Sequence, residues 1–352
     1  MTDGHFNAEM LTLARMSRSV TQAELAEKTG ATQGRVSKIE HGLIEPTDDL
    51  VELFAEVLDY PPAFFFQSGY MQTLPSWFHR KRKHLPRTIL ERVHAEIAIR
   101  IRNIAKLLQS TDLKAPLTVP QIDIDEFNGT VPDIARYVRA LWAVPRGPIP
   151  SVIDLIERAG TLVIPCDFGV SEIDAVGMRL QGLPPLMFVN AGAPTDRMRF
   201  TVIHELAHLV MHALPNEDME AQADLFAGEF LMPELDIRPQ LQRVDLTVLG
   251  VLKKVWRVSM AALLVRAKQL KVLQPAKYTA LWKQMSALGF RKREPAELDL
   301  SPEPPRLLEG LLSFHRERLG LSLRDLLAMF SLHEGDYRRF YVTNTHKLRL
   351  VG

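Results

Sequence analysis

Two histidines four residues apart, with a glutamate directly after the first, have the spacing in this sequence that points most directly to chemistry. They are His204, Glu205 and His208, in the stretch RFTVIHELAHLVMH. In an α-helix, positions i and i+4 lie on one face, so both imidazoles can present a nitrogen to one metal ion. Glu205 lies about 100° around the helix, where it can act as a general base without being a ligand.

A third metal ligand is expected downstream, because a catalytic zinc ion usually has three protein ligands and one open position. In MEAQADLFAGEFLMP, Glu220 follows His208 by twelve residues and lies on the next predicted helix. Asp224 follows one turn later, where it can accept a hydrogen bond from a ligand histidine and fix its orientation. The prediction is one zinc ion (manganese or another divalent ion being possible) held by His204, His208 and Glu220, with Glu205 as the base.

Other acidic and basic residues near this site are assigned simpler roles. His212 lies about 80° from His204 around the helix, which favours a supporting position at the rim of the site over a place among the ligands. Glu229 is expected to be solvated. The His-Glu-x-x-His pattern alone also arises by chance in a core helix, but the glutamate and aspartate downstream favour a metal site.

The bulk composition limits the class of protein. The 352 residues are enough for two or three domains, and a net charge of +1 leaves any nucleic-acid affinity to a local patch. The single cysteine, Cys166, excludes an intramolecular disulfide and argues against a structural zinc site, where thiolates are common. It is expected to be a buried residue at the end of a strand. No apolar run approaches the ~18–20 residues that span a bilayer, and no signal peptide is recognisable, so a cytoplasmic protein without membrane contact is expected.

The order of predicted elements indicates an α+β, mostly helical fold. Short helices over residues 5–66 are followed by a basic segment and a long amphipathic helix near 86–108. Three short strands, TLVIPCD, AVGMRL and PLMFVNA, come before the histidine helix. The predicted domains are 1–68, 69–130 (basic segment, long helix and connector), 131–274 with the small sheet, and a helical region over 275–352.

The segment TQAELAEKTGATQGRVSKIEHG fits a helix-turn-helix, with Gly30 at the turn. At the start of its second helix, Gln33 can pair with adenine and Arg35 with guanine, while the start of the first helix suits phosphate contacts. A helical bundle that contacts protein instead is the alternative. The run Arg80–Lys83 with Arg87 either adds phosphate contacts or is a solvated helix start. The predicted contacts to double-stranded DNA are Thr21, Gln22, Thr32, Gln33, Arg35 and Lys38.

Both regions resemble known families. Residues 8–66, with TQAELA and KIEHG, resemble the XRE family of DNA-binding domains, which implies a five-helix, lambda-repressor-like domain that binds two half-sites as a homodimer. Residues from about 134 to 266 resemble the ImmA/IrrE family of metallopeptidases, although Ala207 stands where the family usually has Gly, and Asp224 where it often has Asn. This resemblance implies a zincin-like domain that cleaves a repressor, or an antitoxin, in a stress response.

Two points stay open in the sequence. LGLSLRDLLAMFSL, in the C-terminal region, has a helix-turn-helix rhythm, but no basic reading helix follows it. A helical appendage that packs on the metallopeptidase domain is therefore expected, with His315 and His333 at the surface. The alternative to a regulatory endopeptidase is a non-proteolytic transcription regulator or antitoxin, whose zincin-like domain binds a partner or senses metal.

Overall fold

The computed structural model describes residues 4–68, 85–111 and 114–342. They form two compact units: one contains Met1–Leu113 together with Glu309–Gly352, and the other contains Lys114–Leu308. The boundaries between the units, after Leu113 and after Leu308, fall inside the predicted segments 69–130 and 275–352. The basic residues Arg80–Lys83 lie outside the described residues, so their predicted contacts stay a prediction.

Short helices open the first unit, and their ends follow from their capping residues. They are α1 (Ala8–Ser17), α2 (Gln22–Thr29), α3 (Gln33–Glu40), α4 (Asp48–Leu58) and a 3-10 turn at Pro62–Phe66. Thr21 and Thr32 begin α2 and α3, because each side chain accepts a hydrogen bond from a backbone N–H of the first turn. Between them, Gly30 has a φ of 66°, a left-handed conformation that glycine adopts without a Cβ clash.

A long helix and the C-terminal helices complete the first unit. They are α5 (Arg87–Leu108), α14 (Leu307–Glu317, mostly within this unit), α15 (Leu323–Phe330) and α16 (Glu334–Tyr341). The helix α5 packs against α1 and α15. Its isoleucines, such as Ile97, Ile101 and Ile104, are buried, which accounts for the amphipathic pattern of the sequence.

The second unit consists of a small sheet and the remaining helices. Its strands are β1 (Leu162–Cys166), β2 (Ala175–Met178) and β3 (Leu186–Asn190). Its α-helices are α6 (Val131–Leu141), α7 (Val152–Arg158), α8 (Thr195–Met211), α9 (Met219–Leu231), α10 (Glu234–Ile237), α11 (Leu246–Trp256), α12 (Met260–Gln269) and α13 (Pro275–Ala287). Short 3-10 turns lie at Arg238–Leu241 and Ala296–Leu298.

Strand β3 lies between the other two strands of the sheet. It pairs parallel to β1, with Leu186 opposite Leu162, and antiparallel to β2, with Val189 opposite Ala175. The strands are almost wholly buried, in agreement with their short apolar sequences. Helix α8 packs on β2, β3, α7 and α9, so the helix with the histidines lies in the core of this unit.

A buried carboxylate fixes the start of α8. Oε1 of Glu303 accepts hydrogen bonds from Arg199, which is fully buried on α8, and from Arg257 at 3.2 Å. Oε2 accepts the backbone N–H of Val152 at 2.8 Å, in the first turn of α7. The Glu303 carboxylate neutralises the buried Arg199. It also accepts a backbone N–H at the N-terminus of α7, where a helix stabilises negative charge and leaves such groups without an acceptor of its own.

The predicted α+β class, with N-terminal helix-turn-helix helices, a small sheet and a helical C-terminal region, is confirmed. Cys166 is buried and ends β1, as predicted. No helix among the described residues is long and apolar enough to cross a membrane.

Several local predictions are wrong. Glu229 is not solvated but 1% exposed, because Arg266 and Arg136 neutralise it in the interior. His315 is not at the surface but 1% exposed, with Nδ1 2.9 Å from the carbonyl oxygen of Leu311. The C-terminal region does not lie as a whole with the sheet-containing unit, since residues from Glu309 onward belong to the first unit. The two arginines that neutralise Glu229 are distant from it in sequence, so no local pattern indicates its burial.

We predict that Glu303→Gln destabilises the second unit strongly. The substitution leaves the buried Arg199 guanidinium without its counter-charge, and losing one partner of a buried ion pair costs about 3–5 kcal/mol of unfolding free energy. Urea denaturation followed by tryptophan fluorescence measures the change, because Trp142, Trp256 and Trp282 all lie in this unit. The control is Glu297→Gln, at an exposed position. Equal midpoints for both variants would contradict the assignment.

Candidate functional site

Helices α8 and α9 bring the predicted ligands together. His204 and His208 lie one turn apart on α8, and α9 packs beside α8 with Glu220 in its first turn. His208 is 4% exposed, whereas the side chain of Glu220 is 41% exposed. The arrangement is therefore anchored in the core on the side of α8 and open to solvent on the side of α9.

Three donor groups converge on one point. His204 Nε2 lies 3.1 Å from His208 Nε2. Glu220 Oε2 lies 3.4 Å from His204 Nε2, and Glu220 Oε1 lies 3.5 Å from His208 Nε2. Around a tetrahedral zinc ion with bonds of ~2.0–2.1 Å, donor atoms are ~3.3 Å apart. The spacing of the donors thus fits a small divalent ion, and these three residues could hold one.

Asp224 orients the first histidine. Its Oδ1 lies 2.8 Å from Nδ1 of His204. A carboxylate only accepts, so Nδ1 of His204 carries the proton and Nε2 presents its lone pair toward the common point. The role predicted for Asp224, to orient a ligand histidine, stays a prediction, and its carboxylate lies within hydrogen-bond distance of His204 as that role requires.

His212 and Gln222 orient the second histidine through a chain of hydrogen bonds. His212 Nε2 lies 2.8 Å from Gln222 Oε1, and His212 Nδ1 lies 2.9 Å from His208 Nδ1. With the amide oxygen as acceptor, His212 donates from Nε2 and accepts at Nδ1. His208 then donates from Nδ1, which leaves its Nε2 lone pair for a metal. Burial lowers the pKa of His212, which favours the neutral imidazole that this series of hydrogen bonds requires.

Gln222 was not among the site residues predicted from the sequence. The signal was its position two residues after Glu220, on the same first turn of α9, but a glutamine has no recognisable ligand chemistry. His212 was placed in a supporting position, and the structure places it beside His208 rather than among the converging donors.

Glu205 faces the edge strand of the sheet and is 2% exposed. Its Oε2 accepts the backbone N–H of Gly177, on β2, at 2.8 Å. A Cβ atom at position 177 would lie 3.2 Å from that oxygen and 3.3 Å from Glu205 Cβ, closer than ordinary contacts. Glycine therefore lets the strand approach this carboxylate without a shift of either side, and Gly177 is a second residue that was not predicted from the sequence.

The predicted DNA contacts lie on one exposed surface of the first unit. Thr32, Gln33, Arg35 and Lys38 are exposed at the start and outer face of α3. Thr21 forms a capping box with Glu24, so its hydroxyl is engaged in the helix cap. The two long cations on α3 are accordingly the side chains best placed to reach a nucleic acid.

A hydrogen-bond network positions the two glutamines of this surface. Gln33 donates to Gln22 at 3.0 Å, and Gln22 donates to Glu40 at 2.7 Å. Glu40 is held in turn by a bidentate ion pair with Arg15, at 2.6 and 2.9 Å. A cavity of about 500 Å³ beside this network includes Arg87, the described member of the basic run.

Family models match a segment of each unit. Residues 11–65 match the family described as Helix-turn-helix, and residues 156–268 match the family described as IrrE N-terminal-like domain, a peptidase family. No curated protein matches the chain. The matches assign a helix-turn-helix domain to the first unit and an IrrE N-terminal-like domain to the second.

The chain is a fusion of an XRE-type helix-turn-helix domain with an IrrE N-terminal-like domain. This confirms the resemblance that the sequence motifs indicated.

We predict that Gln222→Ala weakens zinc binding although Gln222 is not a ligand. Without the amide oxygen, His212 no longer fixes the proton on Nδ1 of His208, and losses of this kind reduce metal affinity about 10–100-fold. Competition with a chromophoric chelator measures the dissociation constant of the purified chain for zinc. The control is Gln242→Ala, at an exposed position away from the site. An unchanged affinity in the Gln222 variant would show that the chain of hydrogen bonds has no such role.

Proposed function

We propose that this protein is a cytoplasmic, DNA-binding zinc endopeptidase that cleaves a partner protein to control gene expression. The observation that carries the proposal is the convergence of His204, His208 and Glu220 beside Glu205, a carboxylate directed by the N–H of Gly177. The partner class that fits is a repressor or an antitoxin, in a stress response. The helix-turn-helix domain would bring the peptidase to the promoter where that partner is bound.

In the proposed site, two imidazole nitrogens and a carboxylate oxygen hold the metal, a donor set typical of catalytic zinc. Zinc, when bound, supplies a Lewis acid that makes water more acidic and polarises a peptide carbonyl group. Asp224 and His212 keep the histidine lone pairs on the metal side.

Glu205 is assigned the proton transfers. One carboxylate oxygen, Oε2, is oriented by Gly177, and Oε1 accepts a proton from the attacking water. The hydroxyl group of that water forms a bond to the carbonyl carbon as the C–N bond breaks. Glu205 then passes the proton to the leaving amine, so that one water is added across one peptide bond.

Comparison of protein N-termini in cells tests the proposal. Cells that produce the native chain are compared with cells that produce Glu205→Gln, which keeps all three ligands but removes the base, and with Glu172→Gln as an exposed control. New N-termini are expected with the native chain and the control and to be absent with Glu205→Gln. If the three samples are alike, with and without DNA damage, the activity is excluded and a binding or metal-sensing module takes its place.

We also predict that DNA binding and cleavage can be separated. The double substitution Gln33→Ala with Arg35→Ala removes two predicted base contacts, each worth about 1–3 kcal/mol, and binding to promoter DNA should weaken accordingly. Cleavage of the free substrate should be unchanged, because none of the residues at the metal site is altered. Fluorescence anisotropy and a cleavage assay measure the two. Loss of zinc in the double variant would contradict independent sites.

A further inference from the structure

The C-terminal helices repeat the spacing of the N-terminal ones. Adding 301 to the limits of α2 (Gln22–Thr29) and α3 (Gln33–Glu40) gives the limits of α15 (Leu323–Phe330) and α16 (Glu334–Tyr341). The same shift places α1 over 309–318, where α14 covers Leu307–Glu317. Two helices and a turn of identical lengths, preceded by a matching helix, are the expectation for two copies of one supersecondary unit.

The capping residues repeat with the same shift. Thr21 begins α2 through a capping box with Glu24, and Ser322 begins α15 through a capping box with Asp325. Each pair gives the first turn of a helix the same reciprocal hydrogen bonds. The turn also repeats, because Gly30 has a φ of 66° and Ser331 has a φ of 53°, so both residues end their helix in the left-handed conformation.

The core positions of the two copies correspond as well. Seven of the ten buried residues of α1, α2 and α3 have a buried counterpart 301 positions later. Five of these pairs are Met10 and Leu311, Leu11 and Leu312, Leu25 and Leu326, Val36 and Tyr337, and Ile39 and Phe340. The helix caps, the left-handed turn residue and the buried positions therefore repeat together, although few of the paired residues are of the same type.

The two predicted base contacts, Gln33 and Arg35, do not correspond in chemistry to the residues of the second copy, although Lys38 corresponds to another cation, Arg339. Where α3 has Gln33 and Arg35, α16 has Glu334 and Asp336, and two carboxylates there would repel the phosphate backbone. Arg35 is exposed, whereas Asp336 is only 6% exposed. Helix α16, which corresponds to α3 in the second copy, thus has a partner other than DNA.

That partner is the first copy and the long helix beside it. Asp336 Oδ1 accepts a hydrogen bond at 2.9 Å from Arg18, the C-capping residue of α1. The same guanidinium donates to the carbonyl oxygen of Leu58, at the end of α4, at 2.8 Å. One turn further along α16, Arg339 donates to the buried Glu96 of α5 at 2.6 Å.

Polar and aromatic contacts extend this interface along α5. Asn103 donates to the hydroxyl of Tyr341 at 2.9 Å, and Lys106 donates to the carbonyl oxygen of Met329 at 2.7 Å. The guanidinium of Arg100 lies 4.1 Å from the ring centroid of Phe340, a distance at which a cation is attracted to an aromatic ring. Both α15 and α16 are therefore held against α5.

We propose that α14–α16 are a second helix-turn-helix domain that does not read DNA, and that its helix α16 binds α1 and α5 of the DNA-reading domain instead. The chain then has one reading helix, α3, supported by a non-reading copy of its own domain. The statement that only α3 reads DNA rests on the proposed function. The contact of α16 with α1 and α5 does not depend on that function.

Amide hydrogen exchange of the full chain tests the contact. Asp336→Asn removes the counter-charge of Arg18, and Glu334→Gln removes an exposed carboxylate in the same turn of α16 as a matched control. We expect exchange in α14–α16 to rise at least about tenfold with Asp336→Asn and to stay as in the native chain with Glu334→Gln. Equal exchange in the two variants overturns the proposed contact.

The salt dependence of DNA binding tests which copy reads. With a labelled duplex of mixed sequence, Arg35→Ala and Lys38→Ala should each reduce the slope of log K against log salt by about one if the side chain contacts phosphate. Arg338→Ala, an exposed substitution on α16, should leave the slope unchanged. A reduction of about one with Arg338→Ala overturns the assignment of α16 as non-reading.

The two measurements separate the inference from the proposed function. If neither α3 nor α16 substitutions alter DNA binding, then DNA reading by α3 fails, and the exchange experiment alone decides whether the second copy binds the first. If the α3 substitutions act and the exchange of α14–α16 does not respond to Asp336→Asn, then the proposed contact fails and DNA reading stands.

Discussion

The Nε2 atoms of His204 and His208 and the carboxylate oxygens of Glu220 lie 3.1 to 3.5 Å apart, and helices α8 and α9 hold these donors together. With both nitrogens presenting lone pairs, the arrangement is repulsive until a cation lies among them. Loops would relax away from such a geometry, whereas α8 and α9 cannot. Helix α8 is fixed at its start by Arg199 and Glu303, and α9 is fixed near its end by Glu229 and its arginines.

The residues around the ligands determine the direction in which the histidine lone pairs point. Asp224 and Gln222, both on α9, set the proton positions of His204 and, through His212, of His208. About 100° around α8 from His204, the carboxylate of Glu205 accepts the backbone N–H of Gly177 on β2. Helix α8 thus faces the metal site, strand β2 and the buried core. Nearly every residue from its second turn onward is therefore constrained by one of these three.

How much of this could be predicted from the sequence depended on distance along the chain. His204, His208, Glu220 and the helix-turn-helix residues were accessible because the helix period and the capping residues relate near neighbours. The partner of Arg199 lies 104 residues away, and that of Arg18 lies 318 residues away, so no local period reveals them. The second helix-turn-helix showed only a rhythm in the sequence, because its turn uses serine instead of glycine and its reading positions are acidic.

The most direct test of the account is the coordination of zinc in the full chain, measured by X-ray absorption at the zinc edge together with metal stoichiometry. The account predicts one zinc ion per chain with two imidazole nitrogens and oxygen donors, and loss of that ion in His204→Ala. A chain that takes up no zinc, that holds it equally well without His204, or that shows a sulfur ligand from Cys166 would contradict the metal centre from which the proposed activity follows.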